Sequence, residues 1–267
     1  MRTLSKLCKL EGRKALVTGA NGQLGRVFCE TLAELGSNLI LVDLPNSNFE
    51  ANKSFLVDNW KIEVEVFPLN LEVQSEREAL IGNLIAADKK LNILVNNAAY
   101  VGTSDLSGWA EPFEKQTIET WRRAIEVNLT AAFDLCKGLF PIMKDSDGAN
   151  IVNIASIYAS YGPDWRLYEG TGMANPAAYA ASKGGLVQLT RWLSTTMAPH
   201  VRVNAISPGG IEQGQDKEFI ERYISRTPLG RMASAEDMKG AMAYLASDLS
   251  RYVTGQLLEV SGGWGVW

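Results

Sequence analysis

Histidine is almost missing from this sequence: His200 is the only one among 267 residues. One imidazole cannot build a multi-histidine metal site, and it makes a Ser-His-Asp triad a poor expectation. Cysteine is scarce as well. Cys8, Cys29 and Cys136 are odd in number, far apart and without a CxxC pair, which argues against a disulfide framework or a zinc ribbon and fits a reducing compartment. No run of about 18 apolar residues occurs, so no membrane span is expected. Residues 1–10 carry Arg2, Lys6 and Lys9, but no apolar stretch of signal-peptide length follows them. Positive charge is not in excess either: 26 Lys plus Arg against 30 Asp plus Glu gives a net charge of −4 and a pI near 5.3. Nucleic acid and anionic membranes are therefore not expected partners. A cytoplasmic protein acting on small molecules is the expectation.

What is present is alternation, without repeats, low-complexity segments or a Gly/Ser/Pro linker. Lys14–Thr18 reads as a buried strand, and Leu24, Val27, Phe28, Leu32 and Leu35 follow at helical spacing until Gly36. Residues 38–44 are a second apolar strand, and Ile62, Val64 and Val66 are spaced by two. Residues 91–95, 150–155, 201–206 and 257–260 complete seven strands, with helical stretches near 74–89, 117–138, 176–197 and 234–247. Near-continuous apolar strands alternating with helices predict a parallel sheet covered on both faces. The reading is α/β: one doubly wound Rossmann domain over residues 1–267, long enough to bury a full core.

Thr18-Gly19-Ala20-Asn21-Gly22-Gln23-Leu24-Gly25 lies between the first strand and the first helix. Glycines there let the backbone approach a pyrophosphate, and the helix N-terminus offers free N–H groups. Asp43 ends the second strand. A carboxylate at that point accepts ribose hydroxyls and repels a 2′-phosphate, which favours NAD over NADP. Its alternative is an ordinary loop residue opening a turn before Pro45. Tyr179 and Lys183, four residues apart after Pro176, share one helix face. An ammonium nearby lowers a phenol pKa, making Tyr179 a candidate acid or base for a carbinol–carbonyl pair.

Read together, these segments resemble a classical short-chain dehydrogenase/reductase over essentially the full length. The match runs through Thr18–Gly25, Asn96-Asn97-Ala98-Ala99, Asn128 within Glu-Val-Asn-Leu, Ser156, Tyr179-x-x-x-Lys183, Pro208-Gly209, Tyr252-Val-Thr-Gly-Gln256 and Gly262-Gly263. The resemblance implies that Tyr179 exchanges the proton, Ser156 holds the substrate oxygen, Lys183 binds the nicotinamide ribose and depresses the Tyr179 pKa, and Asn128 holds a relay water. It implies cofactor contacts from Gly19, Asn21, Gly22, Gln23, Leu24, Gly25 and Asp43, and from Asn70 and Leu71 near adenine. Asn97, Ala98 and Ala99 would line the adenosine-ribose side, with Ile206, Pro208, Gly209 and Ile211 beside the nicotinamide. Singly, each polar residue has a structural alternative: Ser156 as a strand-end cap, Asn128 as a helix-interior residue bonding backbone, Asn96 and Asn97 as ties between strand ends. Four positions depart from the family pattern: Gln23 and Ala99 where glycine is usual, Gln213 for threonine and Ser261 for aspartate.

Ser156 and Tyr179 are 23 residues apart, about ten more than the family leads one to expect. The added segment, 158–175, carries Tyr158, Tyr161, Trp165, Arg166 and Tyr168. Aromatics with polar tips suit a sugar ring better than an acyl chain, and Arg166 has the fork for a phosphate or carboxylate. The alternative is a loop packed on itself or on a neighbouring subunit. A second enlarged segment, 100–113, holds Trp109 and would form the opposite rim, while 212–227, with Gln213, falls where the family has mobile substrate-covering helices. The insertion and the Gly262-Gly-Trp-Gly-Val-Trp267 ending resemble the flagellin modification protein A group of bacterial members, which implies a surface-glycan or nonulosonic-acid type of substrate. The tail with Trp264 and Trp267 is expected to be buried in a homotetramer. Two other readings stay open: a 3-oxoacyl thioester reductase, and a non-catalytic dinucleotide sensor.

Overall fold

The structure, a computed structural model, describes residues 1–87, 90–100 and 106–267. Its strands are β1 (Lys14–Thr18), β2 (Asn38–Asp43), β3 (Val64–Pro68), β4 (Ile93–Asn96), β5 (Asn150–Ile154), β6 (Arg202–Pro208) and β7 (Leu257–Val260). They form one parallel sheet in the order β3-β2-β1-β4-β5-β6-β7. The helices among the described residues are α1 (Leu4–Cys8), α2 (Gln23–Glu34), α3 (Phe49–Trp60), α4 (Gln74–Ala86), α5 (Ile118–Ile125), α6 (Ala131–Met143), α7 (Ala177–Thr196), α8 (Lys217–Arg226) and α9 (Lys239–Ala246).

Successive strand residues point to opposite faces, so a strand buried on both sides must be apolar throughout. In β1 Ala15 and Val17 pack with Phe28 and Leu32 of α2 and with Met242 and Leu245 of α9. Leu16, between them, faces Leu80 of α4, Leu135 and Leu139 of α6 and Leu193 of α7. Each large side chain buried in this way contributes roughly 1.5–3 kcal/mol. Strand order reverses beside β1, where β1 leads to β2 on one side and β4 adjoins it on the other. The crevice at the carboxyl ends of β1 and β4 is the place where an open parallel sheet receives ligands.

Several boundaries differ from the sequence expectation. The stretch expected at 117–138 continues to Met143 and passes through a π-helical turn at Glu126–Thr130. The stretch at 234–247 is a 3₁₀ turn, Ala235–Met238, closed by a Ser234/Asp237 capping box, and then α9. Residues 88 and 89, at the end of the stretch expected at 74–89, lie outside the described residues. Helix α3 was not expected. Only Asn52 and Leu56 of it are buried, too few to print an apolar stripe, and it is set by the Asn48 cap and a left-handed Lys61 at φ 55°. Gly36, at φ 95°, ends α2 as its position implies. No helix among the described residues is long and apolar enough to cross a membrane.

Candidate active site

The turn after β1 is built on two close approaches. Gly19 sits at φ 62°, and a Cβ on it would lie 2.9 Å from the Ala98 Cα. A Cβ on Gly25 would press into the Gly19 carbonyl oxygen and lie 2.8 Å from its carbon. These contacts bring α2 down on the end of β1, with Gly22 as an N-cap that supplies no side-chain hydrogen bond. The first N–H groups of α2 therefore stay free for an anion. Thr18 Oγ1 accepts the Asn97 and Ala98 N–H groups at 3.0 Å each, and Asn97 Nδ2 donates to the carbonyls of Thr18 (2.9 Å) and Gly19 (3.0 Å). Asn97 thus ties β1 to β4 while lining the cavity.

Asp43 ends β2 at the cavity wall. Its Oδ2 accepts the Asn21 N–H at 2.7 Å; its Oδ1 accepts the Leu44 N–H at 2.7 Å and the Ser47 hydroxyl at 3.0 Å. Three donors fix the carboxylate's orientation. Asn21 is placed differently from its neighbours in the turn. It is not part of the cavity lining, because its Oδ1 turns aside to accept from Asn52 Nδ2 at 3.0 Å, and only its backbone serves the site through Asp43.

One cavity of about 960 Å³ runs from this turn to α7, large enough for a dinucleotide and a small substrate. Gly19, Gly22, Gln23, Leu24, Gly25, Asp43, Asn70, Leu71, Asn97, Ala98, Ala99, Pro208, Gly209 and Ile211 all line it, as do Ser156, Tyr179 and Lys183. Gln23, at the unusual position, reaches across to donate to the Glu212 carbonyl at 3.3 Å.

Tyr179 and Lys183 stand one turn apart on α7, which Pro176 opens, and Ser156 follows β5 as the cap of a short 3₁₀ turn. Ser156 hydrogen-bonds the Tyr179 phenol and lowers its pKa, but burial is the larger influence, so the net direction is upward. This reverses the depression expected from Lys183, whose Nζ is 5.8 Å from the Tyr179 ring centroid and donates to the Ile154 carbonyl at 2.7 Å. Burial also lowers the Lys183 pKa to about 8. A lysine depressed in this way destabilises the fold fully below pH 8, where it is charged in both states. The penalty fades as pH rises from about 8 to the ordinary lysine value. Lys183→Met is therefore expected to abolish turnover yet raise Tm. The stability of the variant relative to wild type should be greatest below about pH 8 and fall as pH rises toward the ordinary lysine value, as thermal unfolding across pH will show.

Asn128 is buried within the π-helical turn and outside that cavity. Its Oδ1 accepts the Tyr100 N–H at 2.6 Å, and its Nδ2 donates to Ser182 Oγ at 2.9 Å. Its carboxamide therefore braces α7 and the segment after β4. Tyr168, Trp109 and Gln213 line the cavity; Trp165 and Arg166 do not. Trp165 is 55% exposed, and the Arg166 guanidinium forks onto Asp164 at 2.8 and 3.1 Å. Residues 101–105 of the segment containing Trp109 lie outside the described residues. Tyr158, one of the insertion's aromatics, lines the cavity, and so does Tyr223, which was not singled out; the Tyr223 hydroxyl accepts the Gly210 N–H at 2.6 Å. Tyr223 was hidden in an ordinary amphipathic helix, and nothing local marks its contact with Gly210.

A family model described as Enoyl-(Acyl carrier protein) reductase matches residues 19–265. The 3-oxoacyl-(acyl-carrier-protein) reductase of Rickettsia felis is 33% identical, over 95% of this chain and 97% of its own length. A Beutenbergia cavernae protein described as an NAD(P)-dependent gluconate 5-dehydrogenase, with bound NADP, is 31% identical over 98% of this chain and 100% of its own, with a TM-score of 0.85. A short-chain dehydrogenase of Leptospira borgpetersenii with bound NAD⁺ is also 31% identical, covering 99% of this chain and 96% of its own, at 0.82. The chain belongs to the short-chain dehydrogenase/reductase family. It is an oxidoreductase that acts on carbinol or keto groups with NAD(P).

Proposed function

We propose that this protein is an NAD-dependent dehydrogenase that interconverts a secondary alcohol and a ketone on a small polar sugar derivative. The observation that carries the reading is the single cavity that joins the Asp43 carboxylate and the glycine turn to Ser156, Tyr179 and Lys183. The Gly19–Gly25 approach and the uncapped start of α2 suit a dinucleotide pyrophosphate, and Asp43 suits an unphosphorylated ribose. A dinucleotide seated there supplies or takes the hydride. The chain's own residues handle orientation and the proton. Ser156 holds the substrate oxygen, Tyr179 gives or takes its proton, and Lys183 holds the nicotinamide ribose and places positive charge beside the phenol at pH values below about 8. The inserted segment 158–175 and the covering segment 212–227 form the substrate side. The polar aromatic wall and the resemblance to the flagellin modification protein A group favour a surface-glycan precursor over a thioester.

We assign the protein to the cytoplasm and to a homotetramer. Ile118 (64% exposed) and Trp121 (39%) on α5 and Trp192 (55%) on α7 offer an apolar face for association. Trp264 stacks on Tyr223 of its own chain, ring centroids 4.3 Å apart, and Trp267, 81% exposed in the single chain, is the part of the tail offered to a neighbouring subunit. Sedimentation at micromolar concentration tests the assembly, and a single monomeric species would overturn it. The cofactor assignment is tested by fluorescence titration with NADH and NADPH. NADH is expected to bind at least about tenfold more tightly, with Asp43→Ala reducing that preference by about tenfold. Stronger NADPH binding by the wild type would overturn it and favour the 3-oxoacyl thioester reductase.

A further inference from the structure

The inserted segment brings two phenols together inside the cavity. The hydroxyls of Tyr158 and Tyr168 lie 2.6 Å apart, and both residues line the cavity with Asn175. Asn175 is 6% exposed; its carboxamide lowers the pKa of both phenols, and its own Oδ1 is buried without a partner. The pair stands beside the reacting groups. The Tyr158 N–H donates to Ser156 Oγ at 3.3 Å, and Tyr168 is close enough to raise the Tyr179 pKa.

The pair is also held rigidly. The Tyr168 ring packs against Phe219 of α8 at 5.4 Å and Trp165 at 5.8 Å. Asp164 takes both Arg166 and Arg226, and Arg222 donates to the carbonyls of Leu167 and Glu169. The insertion and α8 are thus one packed body.

Two phenols carry two protons, and one lies in the bond between them. The other remains to be donated, and oxygen lone pairs remain to accept. A group that both accepts and donates, a hydroxyl, satisfies that combination; a carboxylate or phosphate only accepts. Charge points the same way. The cationic side chains among the described lining residues are Lys183 and Arg123, and Arg123 forks onto Glu72 at 2.8 and 3.1 Å. Arg166, the expected anion fork, is held by Asp164 outside the cavity. Burial raises both phenol pKa values, so both protons stay in place through the working pH range.

We propose that the paired hydroxyls of Tyr158 and Tyr168 recognise an uncharged hydroxyl on a carbon close to the one that reacts, making hydroxyketones and their diols the preferred substrates. The proposal rests on the polar-substrate reading above and narrows it. The test compares kcat/KM for cyclohexanone, 2-hydroxycyclohexanone, 2-methoxycyclohexanone and acetoacetyl-coenzyme A, with NADH and NADPH supplied in parallel. Wild type is expected to favour 2-hydroxycyclohexanone over cyclohexanone by about tenfold, and the methoxy analogue, which keeps the oxygen but cannot donate, should lose most of that preference. Tyr158→Phe and Tyr168→Phe should each lower the hydroxyketone-to-ketone ratio by roughly three- to tenfold, the range of one neutral hydrogen bond. A ratio unchanged in both folded variants, or equal preference for the methoxy compound, overturns the tyrosine pair and leaves the polar-substrate reading standing. Acetoacetyl-coenzyme A outpacing every ketone overturns that reading instead. The wild-type comparison of the hydroxy and methoxy compounds decides the matter even if neither variant folds.

Discussion

Tyr179→Phe is expected to lower kcat by about 10²–10⁴-fold, the range spanned by a positioned acid or base. The ring stays in its place on α7, one turn before Lys183, so the cavity and the fold are preserved and only the exchangeable proton is lost. Dinucleotide affinity should remain within about threefold of wild type. The measurement is steady-state turnover beside an NADH titration on the same preparation. Turnover at the wild-type level would remove Tyr179 from the mechanism, and a parallel collapse of NADH binding would show a structural role instead.

Gly25→Ala is expected to have the largest effect on binding and stability together. The added methyl would press into the Gly19 carbonyl oxygen, which is backbone and cannot rotate away. Either α2 lifts from β1 or the turn at Gly19 opens, and each movement spoils the cradle. A cost of about 3 kcal/mol or more follows from forced overpacking, a fall in Tm of roughly 6–12 °C, with NADH affinity down by at least about a hundredfold. Gly22→Ala is the control, since its nearest neighbour would be the Gly19 oxygen at 3.4 Å. It should keep most of its stability. Equal effects at the two glycines would refute the close-approach account.

Near-continuous apolar runs made the sheet readable in advance because its inner strands, β1, β2, β4, β5 and β6, are buried on both faces. Lys14–Thr18 and Leu257–Val260 appear in the structure with the bounds expected from their apolar runs. Helix α3 escaped because it buries too little to need a stripe, and its ends depend on Asn48 and Lys61 alone. At the site, Gly19 and Gly25 were legible within one turn, Tyr179 and Lys183 within one helical turn, and Asp43 as the last residue of an apolar strand. Arg166 and Trp165 were set at the site by composition, which does not show which way a side chain turns. Their composition suited a sugar or an anion, yet Asp164, two residues before Arg166, captures the guanidinium, and Trp165 points toward solvent.

The sequence by itself determined the parallel sheet, the glycine turn and the one-turn pairing of Tyr179 with Lys183, because each follows from short apolar runs alternating with helices, one bend or one helical turn. Only the tertiary structure decided which aromatics of the insertion face the cavity. Tyr158 and Tyr168 are ten residues apart, and their hydroxyls meet because Phe219 and Arg226 of α8, some fifty to seventy residues later, hold the loop closed. It also decided the direction of the Tyr179 pKa. Desolvation depends on everything packed around the ring, and no spacing along the chain records that.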